Sequence, residues 1–186
     1  PELVVVGEHA SGFTNINHFI VASGLPTMEY LQPGPGIGGS HTFGYCIVNF
    51  DPGPNGYYKV VATDGGNTIY VSTFLNNGNY QYTIENIVIG SNIVSPFSIE
   101  RHTQGMMVMS GSSNDPDGQH MYMAYLNDHG EIQWNRFSPE NNTGSYEYSV
   151  GNFSNNLLFA VGYKVLGNGN RLPVGTLYDN TGNLLK

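Results

Sequence analysis

Basic residues are scarce in this chain. Among 186 residues there are 6 Lys and Arg against 14 Asp and Glu, which gives a formal net charge of −8 at pH 7. Nucleic-acid affinity rests largely on clustered Lys and Arg, and so does attraction to an anionic membrane surface. No run approaches the roughly 18 apolar residues that a membrane-spanning helix needs. We therefore expect neither a nucleic-acid partner nor membrane insertion.

Cysteine is nearly absent. The single Cys46 excludes an intramolecular disulfide. A catalytic thiol needs a base beside it, and the sequence pairs no such base with Cys46. We interpret this residue as a small buried hydrophobe within a strand.

Sequence motifs typical of catalytic and metal-binding sites are also missing. The six His residues show no pair at the spacing of a helical zinc motif, no two acids are singled out as a glycosidase pair, and no Ser has a Gly-x-Ser-x-Gly setting. The sequence thus predicts no catalytic residues, no metal and no cofactor. A secreted hydrolase, with acids converging from distant parts of the chain, is kept as a third hypothesis.

The residues that are plentiful indicate a β protein. There are 25 Gly and 13 Tyr, only 11% of residues are charged, and no amphipathic helical window of convincing length is found. Residues 105–137 contain three short apolar and aromatic runs separated by Gly- and Asp-bearing turns, which predicts a three-stranded meander. The polar segment 112–119 is predicted to be the loop between the first two of these strands.

The same order of short apolar runs and glycine-bearing turns recurs along the chain. The glycine that closes the second hairpin of each unit falls at Gly24, Gly78, Gly130 and Gly182, at separations of 54, 52 and 52 residues. A period near 50 with about four short strands is typical of propeller blades. We predict an all-β, β-propeller-like array of about four antiparallel four-stranded blades, with units at about 1–36, 37–90, 91–144 and 145–186. A β-sandwich is the alternative.

The first and last repeat units are incomplete. The first unit lacks its innermost strand, and the fourth unit barely reaches its outer strand. Exposed sheet edges are normally covered. The four units could close as a ring, form a segment of a longer propeller, or take the missing strands from another subunit. The sequence favours the segment of a longer propeller.

Two runs near the C-terminus resemble a known type. Leu157–Gly162 and Leu177–Leu184, together with Asp128–Trp134, are similar to the blades of secreted bacterial β-propeller repeat proteins, whose units read apolar strand, Gly, polar loop, apolar strand, Asp-x-x-Gly and apolar-Trp strand. The third unit is one residue short between Asp128 and Gly130, and the first two units have no Trp and no Asp at the turn. The resemblance implies scaffold or binding roles and carries no catalytic residues. With the low Lys content, it favours an extracellular or cell-surface location.

We therefore expect a non-enzymatic extracellular scaffold or protein-interaction module, a component of a larger surface assembly. Its partner would be another protein or the remaining blades of a longer chain. The alternative is a carbohydrate-binding, lectin-like module, because aromatic rings near strand ends suit sugars and protein partners. The candidate ligand-binding residues, for which packing between blades is the competing role, are Tyr57, Tyr58, Tyr80, Tyr82, Tyr146 and Tyr148.

Overall fold

The computed structural model describes part of the chain, and every regular element in that part is a strand. The described residues are 3–6, 18–21, 29–30, 43–49, 56–63, 65–75, 79–90, 93–102, 107–115, 118–137, 146–154 and 157–186. No helix occurs within these ranges, which confirms the all-β prediction. Cys46 lies in a strand, but its side chain is outside the described part, as are the side chains of all residues before Gly56.

The strands form four antiparallel sheets that follow one another along the chain. Sheet 1 contains β1 (Leu3–Val6), β2 (His18–Val21) and β3 (Glu29–Tyr30). Sheet 2 contains β4 (Phe43–Asn49), β5 (Tyr57–Thr63), β6 (Thr68–Leu75) and β7 (Tyr80–Ile87). Sheet 3 contains β8 (Ile93–Arg101), β9 (Met107–Asp115), β10 (Gly118–Leu126) and β11 (Ile132–Phe137). Sheet 4 contains β12 (Tyr146–Ser154), β13 (Leu157–Val165) and β14 (Arg171–Asp179).

Each sheet is a meander in which consecutive strands pair. After β14 the chain turns back, and Leu184 forms a single antiparallel bridge to Tyr178. The corresponding strands β5, β9 and β13 begin at residues 57, 107 and 157, at intervals of fifty residues. Sheet 1 and sheet 4 thus have three named strands each, whereas sheets 2 and 3 have four.

One loop prediction was wrong. Residues 112–119 are not a loop, because β9 continues to Asp115 and β10 begins at Gly118. Ser112 pairs with Met121 and Asn114 with Gln119 in the ladder between these strands. The polar composition of the segment predicts a loop, but the hydrogen bonds of the ladder join backbone groups and do not require apolar side chains.

Sheet 3 lies between sheets 2 and 4 and buries both of its faces. On β10, Tyr122, Ala124 and Leu126 pack with residues of sheet 2 such as Val61, Ile69 and Val71. The alternate residues Met121, Met123 and Tyr125 pack with Leu158, Ala160 and Tyr178 of sheet 4. This arrangement explains why β10 is apolar at every position from Met121 to Leu126, since a strand covered on both sides has no solvent face to alternate with.

A glycine turn of one sheet docks on the preceding sheet at each of these two junctions. In the turn after β10, Gly130 has a φ of 100°, and its N–H donates to the Asn127 carbonyl at 3.0 Å. The side chain of Asn86, on β7, donates to the Gly130 carbonyl at 2.9 Å and accepts from the Ile132 N–H at 3.0 Å. One amide of sheet 2 therefore satisfies two backbone groups of sheet 3.

The junction between sheets 3 and 4 repeats this contact with other side chains. Gly182, in the turn after β14, has a φ of 85°. Its carbonyl accepts a bond of 2.7 Å from Arg136 Nε, and Trp134 Nε1 donates to the Asn180 carbonyl at 3.0 Å. Both donors belong to β11, the last strand of sheet 3.

Both turns need glycine for two separate reasons. A positive φ is unfavourable for residues other than glycine. In addition, a Cβ on Gly130 would stand 2.6 Å from Val71 Cγ1, and a Cβ on Gly182 would stand 2.8 Å from Trp134 Cδ2. The absence of a side chain lets the turn backbone approach the neighbouring sheet.

We predict that Gly130→Ala destabilises the protein by about 2–6 kcal/mol, because backbone strain of about 1–3 kcal/mol adds to overpacking of about 1–3 kcal/mol. Gly169→Ala is the matched control. Gly169 also has a positive φ, of 80°, but a Cβ there would meet nothing within 4 Å. Urea unfolding of both variants measures the difference, and equal losses of stability would show that the docking contact contributes nothing.

Candidate functional site

Lys59 is the most unusual side chain in the described part of the chain. It lies in the middle of β5 with no exposed surface. Its ammonium donates to Thr73 Oγ1 at 2.7 Å, to the Tyr82 hydroxyl at 3.1 Å and to the His129 carbonyl at 3.2 Å. All three of its protons are therefore used, and the third fastens the turn of sheet 3 to sheet 2.

Two aromatic rings complete the surroundings of this ammonium. Lys59 Nζ lies 4.9 Å from the centroid of the Tyr82 ring and 5.4 Å from that of Tyr57. Such cation–π contacts offset part of the cost of removing a charge from water. The described hydrogen-bond partners of Lys59 are two hydroxyl groups and a backbone carbonyl, all of them neutral.

Burial lowers the pKa of Lys59 below its ordinary value of 10.5, because the charged form loses its hydration. The hydrogen bond to Tyr82 and the negative charge of Asp128 act in the opposite direction. The desolvation is the larger effect.

An open cavity adjoins this lysine. Its volume is about 280 Å³, and it is lined by Tyr57, Thr73, Leu75, Gln81, Tyr82, Asp128 and His129. We call it the Lys59 pocket. Strands β5, β6 and β7 supply the walls, and the turn after β10 supplies Asp128 and His129, whose side chains are 57% and 69% exposed. The side chain of Asn127 orders this turn by accepting the N–H groups of Gly130 and Glu131 at 3.0 and 2.9 Å.

The structure brings two of the predicted tyrosines together in this pocket. Tyr57 and Tyr82 both line it. Tyr58 and Tyr80 lie on the opposite face of sheet 2, where Tyr58 is 2% exposed and stacks on Phe74 at 5.5 Å. Tyr80 meets the same Phe74 ring edge-on at 5.6 Å.

The remaining two candidates are placed only through their backbones. Tyr146 pairs with Lys164 and Tyr148 with Gly162 in the ladder between β12 and β13. Their side chains lie outside the described part, and a ligand role for them stays a prediction.

Sequence reasoning missed Lys59, Gln81, Asp128 and His129. The sequence alone could have indicated that Lys59 is unusual, because a lysine inside the run Tyr57–Thr63 interrupts a largely apolar strand. At the corresponding distances of fifty residues the sequence has Met109 and Phe159. The other three residues gave no signal, since their role depends on a turn from one sheet meeting the strands of another.

A second surface feature lies on sheet 4. The face of β13 and β14 directed away from the packed Leu158 and Ala160 contains Phe159, Val161, Pro173, Gly175 and Leu177. We call this the outer face of sheet 4. Val161 is 41% exposed, and a cavity of about 380 Å³ is lined by Phe159, Gly175, Thr176, Leu177 and Lys186.

Neither a metal centre nor a membrane helix is found in the described residues. No three of their His, Cys, Asp and Glu side chains are grouped so that they could hold a metal ion. No helix long and apolar enough to cross a membrane occurs in the same ranges. No protein-family model matches the chain, and no curated protein shows significant sequence similarity to it.

The lowered pKa of Lys59 predicts a dependence of stability on pH. Between that pKa and 10.5 the unfolded chain holds the proton and the folded protein does not, so stability rises with pH in this window. Removing the titrating group, as in Lys59→Met, removes this contribution. We therefore expect the stability of the wild type relative to the variant to rise by about 1.4 kcal/mol per pH unit within the window.

Urea denaturation of the two proteins between pH 7 and pH 10.5 measures this difference. Lys164→Met, at a partly exposed lysine of β13, is the control and should change stability by no more than about 0.5 kcal/mol. Parallel curves for wild type and Lys59→Met would contradict the prediction.

Proposed function

We propose that the protein is a non-enzymatic scaffold and interaction module that assembles by packing sheet against sheet. In this proposal the four sheets are successive blades of a β-propeller-like array. The supporting observations are the meander in every sheet and the packing of sheet 3 between sheets 2 and 4. An extracellular or cell-surface location stays a prediction from composition and resemblance.

The observation that carries the proposal is the exposure of the outer face of sheet 4. The same face of sheet 2 is buried by sheet 3, with Ile69 and Val71 at 0% exposure and Thr73 at 4%. The same face of sheet 3 is buried by sheet 4, with Met121, Met123 and Tyr125 at 6%, 3% and 7%. The corresponding residues of sheet 4, fifty-two positions after these, are Pro173, Gly175 and Leu177, and Pro173 and Gly175 are exposed.

The form of this face indicates what would cover it. At the two internal junctions the partner is a sheet that brings a glycine turn onto the preceding sheet, where Gly130 meets Val71 on the third strand and Gly182 meets Trp134 on the fourth. The cavity beside Gly175 and Leu177 lies at that position on sheet 4. A further sheet of the same kind would fill the cavity and cover Val161.

In the isolated 186-residue protein, the source of that sheet would be a second copy of the chain. Sheet 2 contacts both sheet 1 and sheet 3, and sheet 3 contacts both sheet 2 and sheet 4, so both sheets already have two neighbours. Sheet 1 of one copy would therefore pack on sheet 4 of the next. Such a head-to-tail contact is heterologous, and it produces a ring or a filament according to the rotation between copies.

We predict that the protein self-associates with increasing concentration and that Val161→Asp weakens the association roughly 100-fold, because it buries an unpaired charge in the contact. Ile89→Asp is the control, since Ile89 is an apolar residue 84% exposed in the turn between β7 and β8. That variant should associate like the wild type. Sedimentation velocity between 1 and 100 µM gives the comparison.

A wild-type protein that remains monomeric over this range would overturn assembly through a second copy. If the two Asp variants weakened association equally, the contact would not be on sheet 4.

A further inference from the structure

The Lys59 pocket is a preformed site whose ligand class follows from its charges. Lys59 is costly for the fold, because its buried ammonium loses hydration and its described hydrogen-bond partners are neutral groups. In return it fixes the Tyr82 ring, the Thr73 hydroxyl and the His129 carbonyl around one cavity. A pocket held in this way loses little entropy when a ligand enters.

A ligand with net charge of either sign is disfavoured here. An anion would find no free donor on Lys59, since its three protons are given to protein acceptors, and it would meet the carboxylate of Asp128 at the rim. A cation would be opposed by the ammonium of Lys59 close behind the wall. The pocket therefore selects neutral molecules.

The lining combines aromatic surface with polar groups that both donate and accept. Tyr57 and Tyr82 contribute ring surface, and Gln81, Asp128 and His129 contribute an amide, a carboxylate and an imidazole. A sugar ring has an apolar C–H face and a rim of hydroxyl groups, and each hydroxyl can donate and accept a hydrogen bond. The volume of about 280 Å³ is at the small end of ligand sites, which suits one ring rather than an extended chain.

We propose that the Lys59 pocket binds a single neutral saccharide unit, with its apolar face against Tyr57 or Tyr82 and its hydroxyls on Gln81, Asp128 and His129. This site is separate from the outer face of sheet 4. It goes beyond the scaffold role, because it gives the module a ligand of its own.

Saturation-transfer NMR with the 186-residue protein tests the proposal. The probes are the methyl glycosides of glucose, galactose, mannose and N-acetylglucosamine, with glucuronate and glucosamine as charged comparators. We expect at least one neutral glycoside to bind, and both charged sugars to bind at least tenfold more weakly. The proposal is overturned if no neutral glycoside binds, or if glucuronate or glucosamine binds as tightly.

The chain offers a matched pair of variants for locating the binding. Gln81 and Gln133 are both exposed, and each side-chain amide donates to the backbone carbonyl two residues before it at 3.4 Å. They occupy corresponding positions on β7 and β11, but only Gln81 lines the pocket. Gln81→Ala should weaken binding of the neutral glycoside at least tenfold and Gln133→Ala should leave it unchanged; equal effects would place the sugar elsewhere.

Asp128→Asn tests the charge argument itself. The substitution keeps the shape of the rim and removes its negative charge, so glucuronate should gain at least tenfold in affinity relative to its affinity for the wild type. An unchanged glucuronate affinity would show that Asp128 does not select against anions. Urea unfolding of each variant confirms that the fold is intact before binding is compared.

Discussion

The docking of a glycine turn on the preceding sheet is the contact on which the described structure depends. Gly130 and Gly182 each bring a backbone carbonyl to a donor on the neighbouring sheet, Asn86 in one case and Arg136 in the other. Because this carbonyl would otherwise be buried without a partner, each sheet completes the hydrogen bonding of the next. Sheet 3 accordingly has apolar residues on both faces and would expose both of them if it folded without its neighbours. Stability in such an arrangement is shared between neighbouring sheets rather than held by any one.

The two junctions solve the same packing problem with different side chains. Between sheets 3 and 4, Trp134 stacks on Tyr125 at 5.5 Å and lies 6.3 Å from Tyr178, so a large indole fills the space beside the turn. Between sheets 2 and 3 the corresponding residue is Tyr82, which is smaller, and the turn is held instead by Lys59. Tyr82 lines the Lys59 pocket, whereas Trp134 packs between the rings of Tyr125 and Tyr178. The Lys59 pocket thus lies at the junction where a tyrosine and a buried lysine stand in place of the stacked indole.

Much of the architecture could be predicted from the sequence, because its signals are local. Turn glycines and short apolar runs specify strands and hairpins within about ten residues. The arrangement of the pocket could not be predicted, since the partners of Lys59 lie 14, 23 and 70 residues away. The tyrosines show the difference most clearly. Tyr57 and Tyr58 are adjacent in a strand and must face opposite ways. Tyr80 and Tyr82 should share a face by the same rule, but the ladder shifts register between Thr73 and Phe74 and separates them.

The two proposed surfaces would reinforce each other. A pocket that holds one sugar ring offers few contacts and is expected to bind weakly, because association carries an entropy cost that a small ligand recovers poorly. Copies joined through the outer face of sheet 4 would present several such pockets in a fixed array. Linked sites convert later binding events into intramolecular ones and can raise the overall affinity by about 10²–10⁴ without new contacts. A surface glycan repeats the same unit many times, so assembly would supply the affinity that a single neutral pocket lacks.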